Sequence, residues 1–195
     1  MKIGIFAGTF DPIHNGHIEF ARSAVNAANL QKVIIVAEKE PYRKKPHASW
    51  DHRQAMIERA TQEIENVDHD YGFAAELSHQ HTMKNMLEVA RKHYGNQNEY
   101  WFLVGSDIYE HIHQWHDLLK EHEYGGFVVA LRDDHTKSWL QSRQQNLPIA
   151  PKTIVIQSGH PHVSSSGIRA LAQQNQIPQD VPSPVVNYIQ THNIY

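Results

Sequence analysis

Cysteine is absent from this chain. That removes disulfides, thiolate nucleophiles and cysteine-based zinc sites, and it suits a reducing compartment. Long apolar runs are missing too. After Met1 and Lys2 the opening run Ile3-Gly4-Ile5-Phe6-Ala7 stops at a glycine turn, too short for a secretory leader or a membrane span. The expectation is a soluble, cytoplasmic protein with no membrane partner. There is no excess of positive charge either: 18 basic residues against 21 acidic ones leave a formal charge of -3. No broad basic field therefore points to a nucleic-acid polymer, and any phosphate binding has to be local. Neither a Walker P-loop nor a GxGxxG run occurs, which argues against P-loop ATP hydrolysis and dinucleotide redox chemistry.

What is present suits one domain over residues 1–195, since a chain of 195 residues that is 40% hydrophobic can bury a real core. Short β-branched or aromatic runs predict strands at residues 2–7, 32–37, 73–78, 100–104, 126–131 and 153–157. Apolar residues at helical spacing predict helices at 17–28, 52–64, 83–93, 109–120, 137–144, 166–174 and 184–191. This alternation implies an α/β fold: a Rossmann-like, doubly wound, mainly parallel sheet with helices on both faces. Its ligands belong at the carboxyl ends of strands near a topological switch point, where the first loop and the Gly105 turn are the natural candidates.

Histidine is plentiful, with 16 residues and three H-x-H pairs, His79/His81, His111/His113 and His160/His162. None has a third ligand nearby in sequence, so no protein metal site is expected, and His116-Asp117 without further ligands reads as solvated surface.

The run Gly8-Thr9-Phe10-Asp11-Pro12-Ile13-His14-Asn15-Gly16-His17 directly follows the first predicted strand. A glycine ending a strand allows close approach of backbone to a bulky ligand. His14 and His17, three residues apart, can share one helix face and point at one phosphate, with the helix N-terminus adding free N–H groups and a positive dipole end. Further on, Val163-Ser164-Ser165-Ser166-Gly167-Ile168-Arg169 sits where the sheet gives way to a helix. Hydroxyls, N–H groups and an arginine fork there suit phosphate oxygens, and the same residues also fit a serine N-cap with a surface arginine. Gly105-Ser106-Asp107 follows an apolar strand, with Trp115 beyond it.

These motifs resemble those of the nucleotidylyltransferase superfamily, in particular the nicotinate and nicotinamide mononucleotide adenylyltransferases, over nearly the whole chain. The first run resembles the G-(T/S)-F-D-P-x-H-x-G-H form of the (T/H)xGH signature, and the serine run resembles an (I/V)-S-S-(S/T)-x-(I/V)-R element. The resemblance implies transfer of AMP from ATP to a pyridine mononucleotide, with release of pyrophosphate, in NAD biosynthesis. It implies His14, His17 and Arg169 as catalytic residues, with ATP held by Gly8, Thr9, Phe10, Gly16, Gly105, Asp107, Ser164, Ser165 and Ser166. Asp107 would take the adenosine ribose, and Trp115 would lie along the pyridine ring. Lys45 and Arg53, in segments similar to the family's P-x-x-K loop and H-R helix start, would meet the mononucleotide phosphate; the basic run Arg43-Lys44-Lys45 equally fits a solvated loop, and Arg53 a residue that ties the loop down. Thr82 is a polar contact for the acceptor. Mg²⁺ would accompany ATP by bridging phosphate oxygens, without a preformed protein cage, and both imidazoles should gain basicity beside phosphate.

The sequence departs from the family at His81-Thr82-Met83-Lys84-Asn85-Met86, where bacterial nicotinate enzymes usually show Y-(T/S)-x-D-T-L. That leaves open nicotinate against nicotinamide mononucleotide as acceptor, with the former favoured. Two alternatives stand beside this reading, a pantetheine-phosphate adenylyltransferase and a catalytically silent nucleotide-sensing module. Assembly as a homo-oligomer is compatible with the sequence and is not read from it.

Overall fold

In the computed structural model the described residues are 1–41, 45–77, 82–121, 124–132, 135–145, 147, 149–160, 162–174, 176 and 179–195. The strands are β1 (Lys2–Gly8), β2 (Lys32–Ala37), β3 (Val67–His69), β4 (Glu99–Gly105), β5 (Gly126–Leu131) and β6 (Thr153–Gln157). They form one sheet of order β3-β2-β1-β4-β5-β6 in which every neighbouring pair is parallel. β1 lies between β2 and β4, so the winding direction reverses there, and the carboxyl ends of β1 and β4 are where such folds place a ligand crevice.

Both faces of the sheet are covered because successive side chains of each strand point to opposite sides and both sets are apolar. Phe6, Val33, Ile35, Trp101, Leu103 and Val128 join one core, which includes Ile18, Phe20, Ala21 and Ala24 of α1 (Asn15–Ala28) and Met56 and Ile57 of α2 (Trp50–Thr61). Ile3, Ile5, Ile34, Tyr100, Phe102 and Phe127 join the other, together with Phe73 of α3 (Tyr71–Glu76) and Met86 and Leu87 of α4 (Met83–Tyr94). Past β4 come α5 (Ser106–Tyr109), a 3₁₀ turn (Ile112–Gln114) and α6 (His116–Leu119); α7 (Lys137–Gln144) precedes β6, and α8 (Ser165–Gln173) and α9 (Ser183–His192) close the chain's element order.

Two expectations are corrected. Residues 73–76 are helical, not a strand, and the third strand is the short edge Val67–His69. Asp70 caps α3, its carboxylate accepting the Phe73 N–H at 2.9 Å, and buried Phe73, Ala74 and Leu77 fall at helical spacing; Ser78 lies outside the described residues. The helix expected over 109–120 is broken into α5, the 3₁₀ turn and α6. Tyr109, Ile112, Trp115 and Leu118 recur every third residue, and a tighter coil of three residues per turn keeps such a row against β5 better than an α-helix does.

Candidate nucleotide site

The first motif leaves β1 at Gly8 and enters α1 at Asn15. Phe10 sits at φ 47°, a left-handed conformation that costs a non-glycine residue energy, and its ring is held between Phe6 and His17 at centroid distances of 5.1 and 4.9 Å. A Cβ on Gly8 would press on the Phe10 ring at 3.1 Å, and one on Gly16 would meet the His14 ring and His160 Cβ, each at 3.2 Å. Gly8 therefore makes room for the Phe10 ring, and Gly16 for the His14 ring.

His14 and His17 stack at 3.6 Å with an interplanar angle of 21°. The His14 main-chain N–H donates to His17 Nδ1 at 3.3 Å, so the proton of a neutral His17 resides on Nε2, a donor aimed away from its own backbone. His14 is buried and its Nδ1 has no hydrogen-bond partner among the described residues. Burial, reinforced by the positive charges of Arg132 and His160, lowers its pKa to about 3. The protein's own groups thus oppose the gain in basicity that phosphate is expected to bring, and His14 is neutral at pH 7. Because the unfolded imidazole titrates at 6.5, this group's contribution to stability is complete above about pH 6.5 and is lost as pH falls toward about 3. Urea midpoints measured from pH 7 to pH 4 should fall more steeply for the unaltered protein than for His14→Gln; parallel curves would contradict the assignment.

α8 brings the second motif onto the first. Ser164 caps the helix by accepting the Gly167 N–H at 3.2 Å, and its hydroxyl lies 3.1 Å from that of Ser166. The Ser165 hydroxyl donates to the Pro12 carbonyl at 2.9 Å, and Arg169 NH1 donates to the Asp11 carbonyl at 2.7 Å. The guanidinium near the end of the chain and the imidazole pair near its beginning therefore share one loop.

Asp11 organises that loop and was not singled out by sequence reasoning. Its buried carboxylate accepts the main-chain N–H groups of His47 and Ala48 at 2.7 and 3.1 Å and the Tyr195 hydroxyl at 2.7 Å, with Arg169 NH1 at 3.8 Å. Burial and this carboxylate together raise the Tyr195 phenol well above its ordinary pKa. The only sequence signal for such a role is an acidic residue inside an otherwise apolar turn.

The remaining expected residues divide. Gly105 ends β4 and Asp107, exposed in α5, folds its carboxylate back over it, where a Cβ on Gly105 would collide. Ser106 between them is fully buried. Trp115 is half-buried, stacking on Phe127 at 5.4 Å and meeting Tyr109 edge-on at 6.2 Å, so one indole face belongs to the core. Lys45 is exposed, beside Arg43 and Lys44, which lie outside the described residues. Thr82 caps α4, its hydroxyl accepting the Asn85 N–H at 3.1 Å, while Lys84 faces Glu121 and Glu88 at 3.7 and 4.0 Å. His81 and His79 also lie outside the described residues. His160, of the third H-x-H pair, engages Glu19 at 2.9 Å.

Arg53, expected at the mononucleotide phosphate or as a tie for the loop, turns two of its nitrogens to main-chain carbonyls. Only 1% exposed, it donates from NH1 to the carbonyls of Thr9 and Glu38 at 2.8 and 2.7 Å and from NH2 to that of Lys39 at 3.2 Å. It clamps the first loop to the segment after β2. Arg132, on the other hand, follows β5 and sets its side-chain Nε beside the Gly105 turn, 3.6 Å from where a Cβ on Gly105 would stand, a position no motif announced.

A doubly wound parallel sheet with two histidines, two helix N-termini and an arginine gathered at its switch point defines an α/β nucleotide-binding protein built to handle phosphates. The chain belongs to the cytidylyltransferase-like family, whose model matches residues 5–171. It is similar over its full length to a probable nicotinate-nucleotide adenylyltransferase of Solibacter usitatus (strain Ellin6076), 29% identical over 201 residues and covering 100% of that protein. A protein of the same description from Shewanella sp. (strain ANA-3) is 27% identical over 212 residues, covering 100% of this chain and 99% of the relative. Among solved structures, Plasmodium falciparum nicotinic acid mononucleotide adenylyltransferase complexed with NaAD superposes with a TM-score of 0.77 at 19% identity, covering 100% of this chain and 97% of that one. That likeness speaks to the fold. No helix among the described residues is long and apolar enough to cross a membrane.

Proposed function

We propose that this protein is an adenylyltransferase that joins the AMP part of ATP to nicotinate mononucleotide and releases pyrophosphate, a step of NAD biosynthesis. The observation that carries the reading is the convergence of His14, His17 and Arg169 on one loop at the switch point, with Arg169 NH1 2.7 Å from the Asp11 carbonyl and the two imidazoles stacked. The full-length similarity to proteins named for this activity supports it.

In the reaction a phosphate oxygen of the mononucleotide attacks the α-phosphorus of ATP, the bond from that phosphorus to the bridging oxygen breaks, and the electron pair leaves with pyrophosphate. The attacking oxygen is already anionic, so no protein nucleophile or general base is required, and catalysis consists of alignment and charge stabilisation. His17 donates from Nε2 to a phosphate oxygen. Arg169 and the free N–H groups of α8 hold the departing pyrophosphate, and Asp107 accepts ribose hydroxyls. The carboxylate nearest the loop, Asp11, is occupied by main-chain N–H groups and a phenol. The donor set therefore fits Mg²⁺ that arrives as the counterion of ATP rather than a cation held by protein carboxylates, and such an ion neutralises phosphate charge.

Purified protein given ATP and Mg²⁺ should release pyrophosphate with nicotinate mononucleotide, more slowly with nicotinamide mononucleotide and not with phosphopantetheine. Release with phosphopantetheine alone would assign the pantetheine reading. ATP binding without turnover on all three acceptors would assign the sensing one.

A further inference from the structure

Arg132 directly follows β5, and its main-chain N–H donates to the Ser106 hydroxyl at 3.1 Å, fixing it beside the Gly105-Ser106-Asp107 turn. Its side-chain Nε lies 3.6 Å from where a Cβ on Gly105 would stand. The same charge acts on the His14 imidazole and disfavours its protonation. Arg53 and Arg169 spend donors on main-chain carbonyls, whereas the Arg132 guanidinium makes no ion pair or hydrogen bond among the described residues. A half-buried cation beside the Gly105-Ser106-Asp107 turn, acting electrostatically on the His14 loop and with donors uncommitted among the described residues, is placed for an anion.

The adenylyl-transfer reading, on which this inference rests, puts the ribose at Asp107 and the outer phosphates at His17 and Arg169. A 5′-linked nucleotide stretched between those points has its α-phosphate in the middle. We propose that Arg132 binds the α-phosphate of the nucleotide, the group transferred in the reaction. The guanidinium bridges the two halves of the crevice by charge-assisted hydrogen bonds to non-bridging oxygens, and it stabilises the charge that gathers on them during transfer.

Calorimetric affinities for adenosine, AMP and ATP test this without any acceptor, comparing the unaltered protein with Arg132→Ala and Arg132→Lys. The contact to Ser106 runs through the main chain and survives both substitutions. Arg132→Ala should weaken AMP and ATP by roughly tenfold or more while leaving adenosine unchanged, with Arg132→Lys intermediate. Adenosine weakened in step with AMP would make Arg132 a mere prop for the turn and overturn the proposal. So would an unaltered protein that binds AMP no better than adenosine, or a variant that binds AMP normally. Turnover of Arg132→Ala with nicotinate mononucleotide should fall by about 10²-fold. If the unaltered protein binds AMP through Arg132 yet turns over no acceptor, the α-phosphate contact stands and the adenylyl-transfer reading falls.

Discussion

His17→Ala should lower turnover by about 10²-fold or more and leave the protein folded. The loss corresponds to about 2.7 kcal/mol of transition-state stabilisation, at roughly 1.4 kcal/mol for each factor of ten, the size seen when one preorganised donor to a developing oxyanion is removed. His17 is suited to that part because its Nδ1 accepts the His14 N–H at 3.3 Å, which puts the proton of the neutral ring on Nε2 as a donor. Its ring is only partly buried and makes edge contacts with Phe6 and Phe10 at 6.0 and 4.9 Å, so truncation costs about 1 kcal/mol of packing and a few degrees of melting temperature. Steady-state kinetics beside a thermal melt separates the two effects. Normal turnover in a folded variant would remove His17 from the chemistry.

Arg53→Met should produce the largest loss of stability, about 3 kcal/mol, which for a chain of 195 residues corresponds to a fall of about 10 °C in melting temperature. Methionine keeps the length of the side chain but leaves the carbonyls of Thr9, Glu38 and Lys39 without their donor in a site that is 1% exposed. Burial works against the Arg53 charge, and the acidic groups of Asp11, Tyr195 and Glu38 offset it, so the guanidinium belongs to the folded framework. The measurement also decides between two parts for this residue. A ligand of the mononucleotide phosphate would raise KM for the acceptor at constant melting temperature, whereas a clamp lowers the melting temperature first.

The parallel sheet was legible because all its strands but β3 are short runs rich in apolar residues, and β2, β5 and β6 have the bounds their sequence predicts. The misread segments are those where apolar spacing suits two conformations. Residues 73–78 read as a strand until Asp70 is recognised as a cap, and 109–120 read as one helix until the three-residue repeat is noticed. Motif spacing singled out His14, His17, the serine run and Arg169, which the fold brings to one loop, since the features it reads are local: a helix start, a hydroxyl, a glycine. It did not locate Asp11, Arg132 or Tyr195, whose places depend on partners 36 to 184 residues away or on the neighbouring strand. Arg53 was found for its charge and proved to be bound through its donors to carbonyls, a distinction only three dimensions supply.

A crystal structure with a non-hydrolysable ATP analogue tests the gathering of the two motifs around one triphosphate. The nucleotide is predicted to lie across the carboxyl ends of β1 and β4, with phosphate oxygens at about 2.7–3.2 Å from both His17 Nε2 and the Arg169 guanidinium. A triphosphate seated on another face, beyond the reach of both groups, would contradict it.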